Sequence, residues 1–394
     1  PMKSLVLAAP VRTPIGKFGG ALAPLSAADL GAAAASACLE RAGVDPSAVD
    51  QAIFGHGRQA GGGPNTARQV AHRAGVPETS PAFTLNQACG SGLQSVFAAA
   101  RAILLGEAEV VLAGGTESMS NTPYLLPRAR WGHRLGHAEL TDGMYRDGFN
   151  DPISGLVMGE TAEELAEDWR ISRDQSDAWA VRSQNRSEAA RAAGRFASEI
   201  APVTVPGRRG ETVVDRDEHP RDGVTPEKLA KLKPVFRDGG RVTAGNASGI
   251  TDGAAALLVA SAEAAERLGL QVVAHLRGWA AVGVEPRIMG IGPVPACEKL
   301  FADTGVGADA IDEVELNEAF ACQLLACLKD LPFDPAIVNP DGGAISLGHP
   351  IGCTGARILV TLLHGLERRG GRYGVATLCV SGGLGLAALV ERAS

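Results

Sequence analysis

Two distant stretches of the chain repeat each other. Residues 42–55, AGVDPSAVDQAIFG, align without a gap on residues 304–317, TGVGADAIDEVELN, and glycine, valine, alanine and aspartate recur at matching places. Farther along, VVLAGG at 110–115 resembles LCVSGG at 378–383. An internal repeat of this kind predicts that one structural unit occurs twice. Short apolar runs alternate with Ala-rich helical patterns in both copies, so we expect a duplicated α/β unit with buried, mostly parallel strands covered by helices.

A region of different composition interrupts the first copy. Residues 121–250 carry many charges, several prolines and three of the four tryptophans, whereas the flanking sequence is apolar and rich in alanine. Within this region, Ser172 and Gln175 form a capping-box pattern and Gly194 provides a stop, which predicts a helix between them. We therefore expect three units: an N-terminal half from 1–120 and 251–271, an inserted domain at 121–250, and a C-terminal half at 272–394.

Composition excludes several classes of protein. The chain has 394 residues and a net charge of −7, which argues against a nucleic-acid or membrane-surface protein. Its seven cysteines are odd in number and contain no C-x-x-C, which favours reduced thiols in the cytoplasm over disulfides or a structural zinc site. The opening PMKSLVLAAPVRTPIG has too short an apolar run for a signal peptide. No run of about 18 apolar residues is evident, so no transmembrane helix is expected.

Cys89 is the candidate nucleophile of the first copy. It lies in NQACGSG, residues 86–92, and the apolar stretch from Leu93 to Leu105 that ends at Gly106 predicts a helix. Unpaired N–H groups and the dipole at a helix N-terminus favour anions, so a thiol placed there loses its proton more easily. A cysteine in a tight strand-to-helix turn can equally be a small buried hydrophobe. This stretch alone leaves both interpretations open.

The second copy contains three further motifs, each at the end of a strand candidate. They are NEAF at 317–320, GGAISLGHPIGCTGAR at 342–357 and CVSGG at 379–383. Active sites of α/β sheets gather at such strand ends. His349 is enclosed by glycines and a proline, a setting that points an imidazole out of a loop. A single histidine is more often structural, but its place in the repeat relative to Cys89 favours a catalytic role.

Two other patterns do not carry chemistry. Gly55, Gly57 and Ala60 mimic a dinucleotide fingerprint, but more glycines and a proline follow at once, so the required helix does not start there. His133 and His137 are spaced i, i+4, yet glycines flank both and a third ligand is missing nearby, so we interpret them as loop residues rather than metal ligands. The sequence therefore predicts neither a bound dinucleotide nor a metal site.

Together the motifs resemble those of the thiolase family, in particular its acetyl-CoA acetyltransferase-like members. The resemblance covers the whole chain, from VRTPIGKFGG through GGTESMS, TAGNASG and NEAF to CVSGG, and the combination of GHPIGCTGAR with NEAF is specific. It implies the duplicated five-layer αβαβα thiolase fold. It also implies that residues 121–250 form the inserted loop domain that covers coenzyme A.

The resemblance implies a role for each candidate catalytic residue. Cys89 would carry the acyl group as a thioester, and His349 would act as the base that forms its thiolate. Cys379 would move a proton at the α-carbon of a second acyl-CoA, since a thiol pKa is easily tuned towards neutrality. His349 and a water held by Asn317 would stabilise the enolate, and the N–H groups of Cys89 and Ser381 would hold the tetrahedral oxyanion.

The resemblance also implies a set of substrate contacts. Those towards coenzyme A are Arg221, Phe236, Ala244 and Ser248, and those near the acyl and pantetheine pocket are Met158, Met289 and Phe320. Without the resemblance, the arginine would pass for an exposed charge and the methionines for ordinary core. The sequence departs from short-chain relatives at Val157, where they often have histidine. It also departs at CVSGG, where the family has CIGGG.

The implied activity is the reversible condensation of two acetyl-CoA molecules to acetoacetyl-CoA and CoA, with CoA thioesters as substrates and no permanently bound cofactor. A broad-chain degradative 3-ketoacyl-CoA thiolase is the main alternative. A ketoacyl synthase, expected to use two histidines, a thiol hydrolase and a non-catalytic acyl-CoA-binding protein fit the motifs less well. The family further implies a homotetramer built as a dimer of dimers. LPRARWGHRLGHAEL at 126–140, with an anchor-and-rim composition, is the candidate tetramer contact.

Overall fold

The computed structural model describes residues 4–208 and 210–394, so the first three residues of the opening apolar stretch lie outside it. The strands are β1 (Leu5–Arg12), β2 (Gly16–Lys17), β3 (Gln51–Gly55), β4 (Ala82–Leu85), β5 (Val110–Ser118), β6 (Tyr124–Leu125), β7 (Thr141–Asp142), β8 (Val203–Gly207), β9 (Gly210–Val214), β10 (Thr251–Ser261), β11 (Val272–Gly283), β12 (Glu313–Leu316), β13 (Tyr373–Val380) and β14 (Leu384–Arg392). The α-helices are α1 (Ala27–Ala42), α2 (Thr66–Arg73), α3 (Ser91–Leu105), α4 (Met158–Asp168), α5 (Arg173–Ala192), α6 (Pro226–Ala230), α7 (Ala262–Leu268), α8 (Pro293–Thr304), α9 (Ala321–Asp330), α10 (Ala344–Leu347) and α11 (Ile351–Arg369).

The strand order repeats in the two halves of the molecule. Ten strands form one sheet, nine in the order β12-β13-β14-β11-β1-β10-β5-β3-β4 and the short β2 beside β10. In one half β3 is parallel to β5, which is antiparallel to β10, which is antiparallel to β1. β12, β13, β14 and β11 are related in the same way. Gln51 pairs with Val111, and Glu313, its counterpart in the repeat, pairs with Gly374. The predicted duplication is confirmed.

The second pair of similar segments, 110–115 and 378–383, does not occupy matching positions in the sheet. Because Val111 and Gly374 occupy matching places, VVLAGG corresponds to residues near 373–378 rather than to 378–383. The two glycine pairs also differ in structure. Gly114 and Gly115 lie inside β5, whereas Gly382 and Gly383 follow β13 in a turn with φ values of 85° and 84°. That part of the sequence alignment is therefore wrong by about five residues. The two glycine pairs look alike in sequence, but one lies within a strand and the other in a turn.

The expectation of mostly parallel strands is also wrong. Parallel pairs are confined to β3 with β4 and β5, and to β12 with β13, and the other pairs in this sheet are antiparallel. Only three residues, 381–383, join β13 to β14, which is too short for the crossover that parallel strands need. At the matching place of the first copy, between β5 and β10, the chain inserts residues 119–250.

A hydrophobic core lies on each face of both halves of the sheet. On β10, Leu257 and Val259 pack with α3 and α11, while Leu258 and Ala260 pack on the opposite face with α1 and α2. The central core also takes residues from β11, β13 and β14, whose other face packs against α8 and α9. Helices therefore cover the outer face of each half of the sheet and also fill the space between the two halves, which gives the expected αβαβα layers.

Helix α3 is more apolar than the sequence inspection suggested. The stretch Ala88–Leu105 is long and apolar enough to cross a membrane by length and composition. In the protein 61% of it is buried, and α3 packs between the two halves of the sheet. It is therefore the core helix that begins beside Cys89.

The inserted region contains the predicted charged helix. In α5 the Ser172 hydroxyl accepts from the Gln175 N–H at 3.1 Å, and the Gln175 side chain accepts from the Ser172 N–H at 2.8 Å. The capping box is confirmed, and the helix ends two residues before Gly194. Trp179 and Ser183 of α5 donate hydrogen bonds to Glu318, which lies in NEAF. The insertion is thus tied to the second copy at one of its motifs.

Candidate active site

Cys89 lies in a tight turn between β4 and α3. Ser91, the first residue of α3, accepts from the Gln87 N–H at 2.8 Å and donates its hydroxyl to the Ala88 carbonyl at 2.7 Å. Ala88 has a φ of 46°, a left-handed conformation that is uncommon for residues with a Cβ atom. Such strain persists where the surroundings enforce it, and it is frequent at active sites. The turn presents the half-buried Cys89 at the start of α3.

Glycines bring the beginnings of α3 and α11 together. A Cβ on Gly92 would lie 2.5 Å from the Ala356 nitrogen, and one on Gly355 would collide with the backbone of Leu93. No side chain fits between the two helices at this crossing, so these positions require glycine. Because α11 begins directly after the loop that carries His349, the crossing brings the two predicted motifs to the same place.

The His349 ring has one tautomer that fits its hydrogen bonds. Its Nδ1 lies 2.6 Å from the Thr354 hydroxyl, which donates its own proton to the Pro350 carbonyl at 3.0 Å. The hydroxyl must therefore accept from Nδ1–H, which leaves Nε2 with a free lone pair. The His349 N–H also donates to the Gly249 carbonyl at 3.1 Å, which fixes the loop.

His349 is held neutral. Burial, together with the positive charges of Arg357 and Arg58, lowers the pKa of His349 to about 3. A lowered pKa keeps the imidazole unprotonated at every pH above that value, so Nε2 can accept a proton at neutral pH.

The free thiol of Cys89 is harder to ionise than the sequence suggested. Burial raises the pKa of Cys89, although Arg58 and the N–H groups of Ser381 and of Cys89 itself act in the opposite direction. The expectation that a helix N-terminus would make this thiol acidic is therefore wrong for the free protein, because desolvation outweighs the dipole. A neutral thiol needs a base, and the neutral His349 is in the same cavity.

Cys379, the penultimate residue of β13, lies on the opposite side of the same cavity. It is 1% exposed, and burial together with the neighbouring Cys89 raises its pKa well above the ordinary value. The thiol of Cys379 is therefore protonated in the free protein. Ser381 follows in the turn after β13 and also lines the cavity.

Asn317 follows β12 and has an unusual environment. Its side chain is 1% exposed, yet neither its Nδ2 nor its Oδ1 has a hydrogen-bond partner among the described residues. Buried amides normally have partners, and those without protein partners commonly bind water. The next residues pair with the insertion: Ser248 N–H donates to Ala319 at 3.0 Å and Ala321 N–H donates to Asn246 at 2.9 Å.

Most of the predicted residues meet at one open cavity with about 960 Å³ of empty space. It is lined by Cys89, His349, Cys379, Ser381, Met158, Phe236, Ser248, Met289 and Phe320, among others. Asn317 lies outside this lining. Arg221 and Ala244 are exposed and line a separate hollow with His219 and Lys228. The structure therefore unites the predicted acyl and thiol-handling residues but not the whole predicted CoA set.

Glu117, which the sequence did not indicate, forms hydrogen bonds with several segments around this site. Its carboxylate accepts from the N–H groups of Gly57 at 3.0 Å, Arg58 at 3.1 Å and Gly352 at 2.8 Å, and lies 3.2 Å from His56 Nε2. Although burial opposes ionisation, these contacts hold the pKa of Glu117 below its ordinary value. A single charge thereby joins β5, the loop after β3 and the first turn of α11.

Two other contributors were also missed. Thr354 lies inside GHPIGCTGAR, five residues after His349, so its spacing could have indicated a partner for the ring. Arg58 lies in the glycine-rich loop that only resembled a dinucleotide fingerprint, and it lines the cavity. Ten residues separate the end of β3 from Thr66, where the next helix begins, so a helix does not start at this motif, as predicted.

Comparison with known proteins agrees along the whole chain. Residues 5–263 match the family described as thiolase, N-terminal domain, and residues 270–392 match thiolase, C-terminal domain. The acetyl-CoA acetyltransferase of Chromobacterium violaceum is 50% identical over 98% of this chain and 99% of its own length. That of Pseudomonas aeruginosa is 50% identical over 99% of this chain and 100% of its own length.

Solved structures agree as well. The acetyl-CoA acetyltransferase of Bacillus anthracis superposes with a TM-score of 0.97 at 47% identity, covering 100% of this chain and 99% of that one. Human mitochondrial 3-ketoacyl-CoA thiolase superposes with a TM-score of 0.97 at 42% identity, covering 100% of both chains. The fold is thus the one shared by these two proteins. The chain belongs to the thiolase family.

Proposed function

We propose that this chain is an acetyl-CoA C-acetyltransferase that condenses two acetyl-CoA molecules and catalyses the reverse thiolysis. The observation that carries the proposal is the convergence of Cys89, His349 and Cys379 on one cavity. A nucleophile, a neutral base and a second thiol are the groups that a two-step acyl transfer to carbon requires. The names of the relatives support the same activity.

The first half-reaction acylates Cys89. The Nε2 atom of His349 takes the thiol proton, and the thiolate attacks the thioester carbonyl of acetyl-CoA. The N–H groups of Cys89 and Ser381, both of which act to lower the pKa of the Cys89 thiol, would hold the developing oxyanion. The bond to CoA then breaks, and CoA leaves with the proton from His349.

The second half-reaction forms the carbon–carbon bond. Cys379 first passes its thiol proton to the neutral His349, and its thiolate then takes the α-proton of a second acetyl-CoA. The enolate carbon attacks the acetyl-Cys89 carbonyl, and the Cys89 sulfur leaves and takes the proton from His349. His349 and a water bound to the unpartnered Asn317 amide would stabilise the enolate oxygen. Acylation removes the charge that a Cys89 thiolate would place beside Cys379. The Cys379 thiol therefore ionises more easily once the acyl-enzyme has formed.

Coenzyme A would extend from the cavity over the inserted region. Phe236 and Ser248 line the cavity, whereas Arg221 and Ala244 line the neighbouring hollow with Lys228. The cationic character of this hollow suits the phosphates of the nucleotide end. Residues 121–250 are accordingly proposed as the domain that covers CoA, inserted in an N-terminal half of 1–120 and 251–271 and followed by a C-terminal half of 272–394.

A broad-chain degradative 3-ketoacyl-CoA thiolase is the second candidate, favoured by the fold shared with the human mitochondrial protein of that name. Thiolysis of straight 3-ketoacyl-CoA substrates from C4 to C10 separates the two. We expect kcat/KM to decline with length by degrees, because a hydrophobic pocket discriminates one methylene by only about 1–3 kcal/mol. A profile that rises from C4 to C10 would replace the acetyltransferase proposal with the degradative one.

Met158→Ala and Met289→Ala test the wall of the acyl pocket in the same assay. Both methionines line the cavity, and Met289 is buried. Removing a methionine side chain should enlarge the pocket and flatten the decline of kcat/KM with chain length. A length profile identical to that of the wild type in both variants would remove these residues from the acyl pocket.

We propose a homotetramer for the native state. Trp131 and Leu135 are 84% and 96% exposed within the 126–140 segment, an arrangement typical of interface anchors among charges. Light scattering should show a tetramer for the wild type and a dimer for Leu135→Glu. Leu105→Glu, at an exposed leucine outside this segment, should remain tetrameric. A wild-type monomer at working concentration would contradict the proposal.

The same proposal includes a cytoplasmic setting and no resident cofactor, with CoA thioesters as substrates. All seven cysteines are unpaired, as is usual in reducing compartments.

A further inference from the structure

Arg58 introduces a buried cation into the cavity. It is 7% exposed, and among the described lining residues it is the only one with a permanent charge. Its backbone is fixed by the hydrogen bond to Glu117, and its guanidinium lies 5.8 Å from the Phe149 ring centroid. Nη1 donates to the Asp147 carbonyl at 3.2 Å. Gly148 packs so closely on the guanidinium that no Cβ fits there.

No carboxylate is paired with this guanidinium among the described residues. The oxygens of Glu117 are engaged by backbone N–H groups and by His56. The Asp147 carboxylate lies 3.9 Å from exposed Arg146 instead. Nε of Arg58 is buried without a hydrogen-bond partner. A buried cation is costly unless it is paired, so an anionic group that arrives with the substrate would complete this site.

Arg58 and most of the predicted substrate contacts belong to different parts of the cavity lining. Two packed clusters meet at the cavity. One contains Met289 and Phe320 together with Cys379, and Met158 and Phe236 pack against it. The other contains Met119, Met144 and Ile351, against which Cys89 and Phe149 pack. Arg58 contacts Phe149 of this second cluster, and Cys89 packs against the same cluster, so the guanidinium and Cys89 share this part of the cavity.

We propose that Arg58 is a specificity-determining residue that receives a carboxylate at the far end of the acyl group carried by Cys89. The substrate class is the CoA thioester of a short dicarboxylic acid, such as succinyl-CoA, and the matching 3-oxo-dicarboxylic thioesters. In the transfer, the bond from the acyl carbonyl carbon to the CoA sulfur breaks as the bond to the Cys89 sulfur forms. The Cys89 proton leaves on CoA through His349. The far carboxylate takes no part in these bond changes.

This inference rests on the acyl-Cys89 chemistry of the proposed function, and it is tested on that half-reaction. Succinyl-CoA and butyryl-CoA have acyl groups of equal carbon number that differ in a terminal carboxylate or methyl. The rate of Cys89 acylation by each, and by acetyl-CoA, is measured by intact mass after rapid quenching. The proteins are the wild type, Arg58→Met, Arg58→Lys and the control Arg146→Met, which removes an exposed cation from the same region.

We expect the wild type to react with succinyl-CoA about tenfold or more faster than with butyryl-CoA, the scale of a charge-assisted hydrogen bond. Arg58→Met should reverse this preference, Arg58→Lys should retain part of it, and Arg146→Met should behave as the wild type. In Arg58→Met, acetyl transfer should fall less than succinyl transfer, because the lost charge acts on Cys89 and His349 for every donor, whereas only succinyl loses the partner of its carboxylate.

The proposal is overturned if the wild type reacts with butyryl-CoA as fast as with succinyl-CoA. This comparison uses the wild type alone, so it does not depend on whether a variant folds. It is equally overturned if Arg58→Met slows all three donors by the same factor. In that case the guanidinium acts on Cys89 or on the fold rather than on the acyl group. A wild type that no donor acylates would refute the proposed function itself, and this inference with it.

Discussion

Replacing Cys89 by alanine is expected to lower acetyl transfer by at least about 10⁴-fold, the scale on which a covalent nucleophile contributes. Cys89 is presented by a strained turn, the N–H groups of Ser381 and of Cys89 itself favour its thiolate, and neutral His349 lies in the same cavity. Without the sulfur, no thioester forms and neither half-reaction proceeds. Coenzyme A should still bind, because the substitution leaves its predicted contacts unchanged.

Intact mass after incubation with acetyl-CoA, together with steady-state thiolysis of acetoacetyl-CoA, measures this effect. The wild type should gain one acetyl group and Cys89→Ala none, while calorimetric titration with CoA should give similar affinities. Cys38→Ala is the matched control, because Cys38 is a buried residue of α1 in the outer core and is outside the cavity lining. Substantial turnover by Cys89→Ala would remove Cys89 from the role of nucleophile.

The repeat and the motif spacing predicted the scaffold well, because local signals and packing agree there. The capping box of α5 and the glycine that ends α3 act within one turn of chain, so they can be recognised without knowing what surrounds them. The convergence of Cys89 with His349 also followed from their similar places in the two copies. The glycines in these two motifs are explained only by the structure, because they allow α3 and α11 to pack in direct contact.

The end of β5 could not be predicted by the same means. The largely apolar run from Glu109 to Ala113 predicts a strand that ends there, since the following Gly114 and Gly115 disfavour strands. In the fold both glycines continue β5, and Gly115 packs against the backbone of Gly352. The strand therefore reaches Glu117, whose partners come from three separate parts of the chain. Long-range packing of this kind leaves no local pattern.

Thiol acidity is a second property that local sequence could not supply. The position of Cys89 beside a helix N-terminus predicts a lowered pKa, and the N–H groups do act in that direction. Burial has the larger effect and depends on the surrounding segments, including Met119, Phe149 and Ile351 from elsewhere in the chain. The net result is a neutral thiol that depends on His349, so the base is needed for ionisation and not only for orientation.

Replacing Cys379 by serine should separate the two half-reactions. Acylation of Cys89 by acetyl-CoA needs His349 and the two N–H donors, none of which is altered. Condensation needs Cys379 to remove an α-proton, and a serine hydroxyl is a far weaker acid–base group at neutral pH than a thiol. We therefore expect acyl-enzyme to form at nearly the wild-type rate while product formation falls by about 10²–10⁴-fold, the usual contribution of a general acid–base group.

The separation is measured by following acetyl-Cys89 by intact mass and acetoacetyl-CoA by absorbance in the same reaction. Cys353→Ser is the matched control, because Cys353 is likewise a buried thiol, on α11, outside the cavity lining. It controls for the cost of burying a hydroxyl, and it should leave the ratio of acylation to condensation unchanged even if both rates fall. Because the step that consumes it is slowed, the acyl-enzyme of Cys379→Ser should accumulate. If acylation and condensation fell by the same factor in Cys379→Ser, Cys379 would be supporting the Cys89 site, and the α-proton would have to be moved by another group.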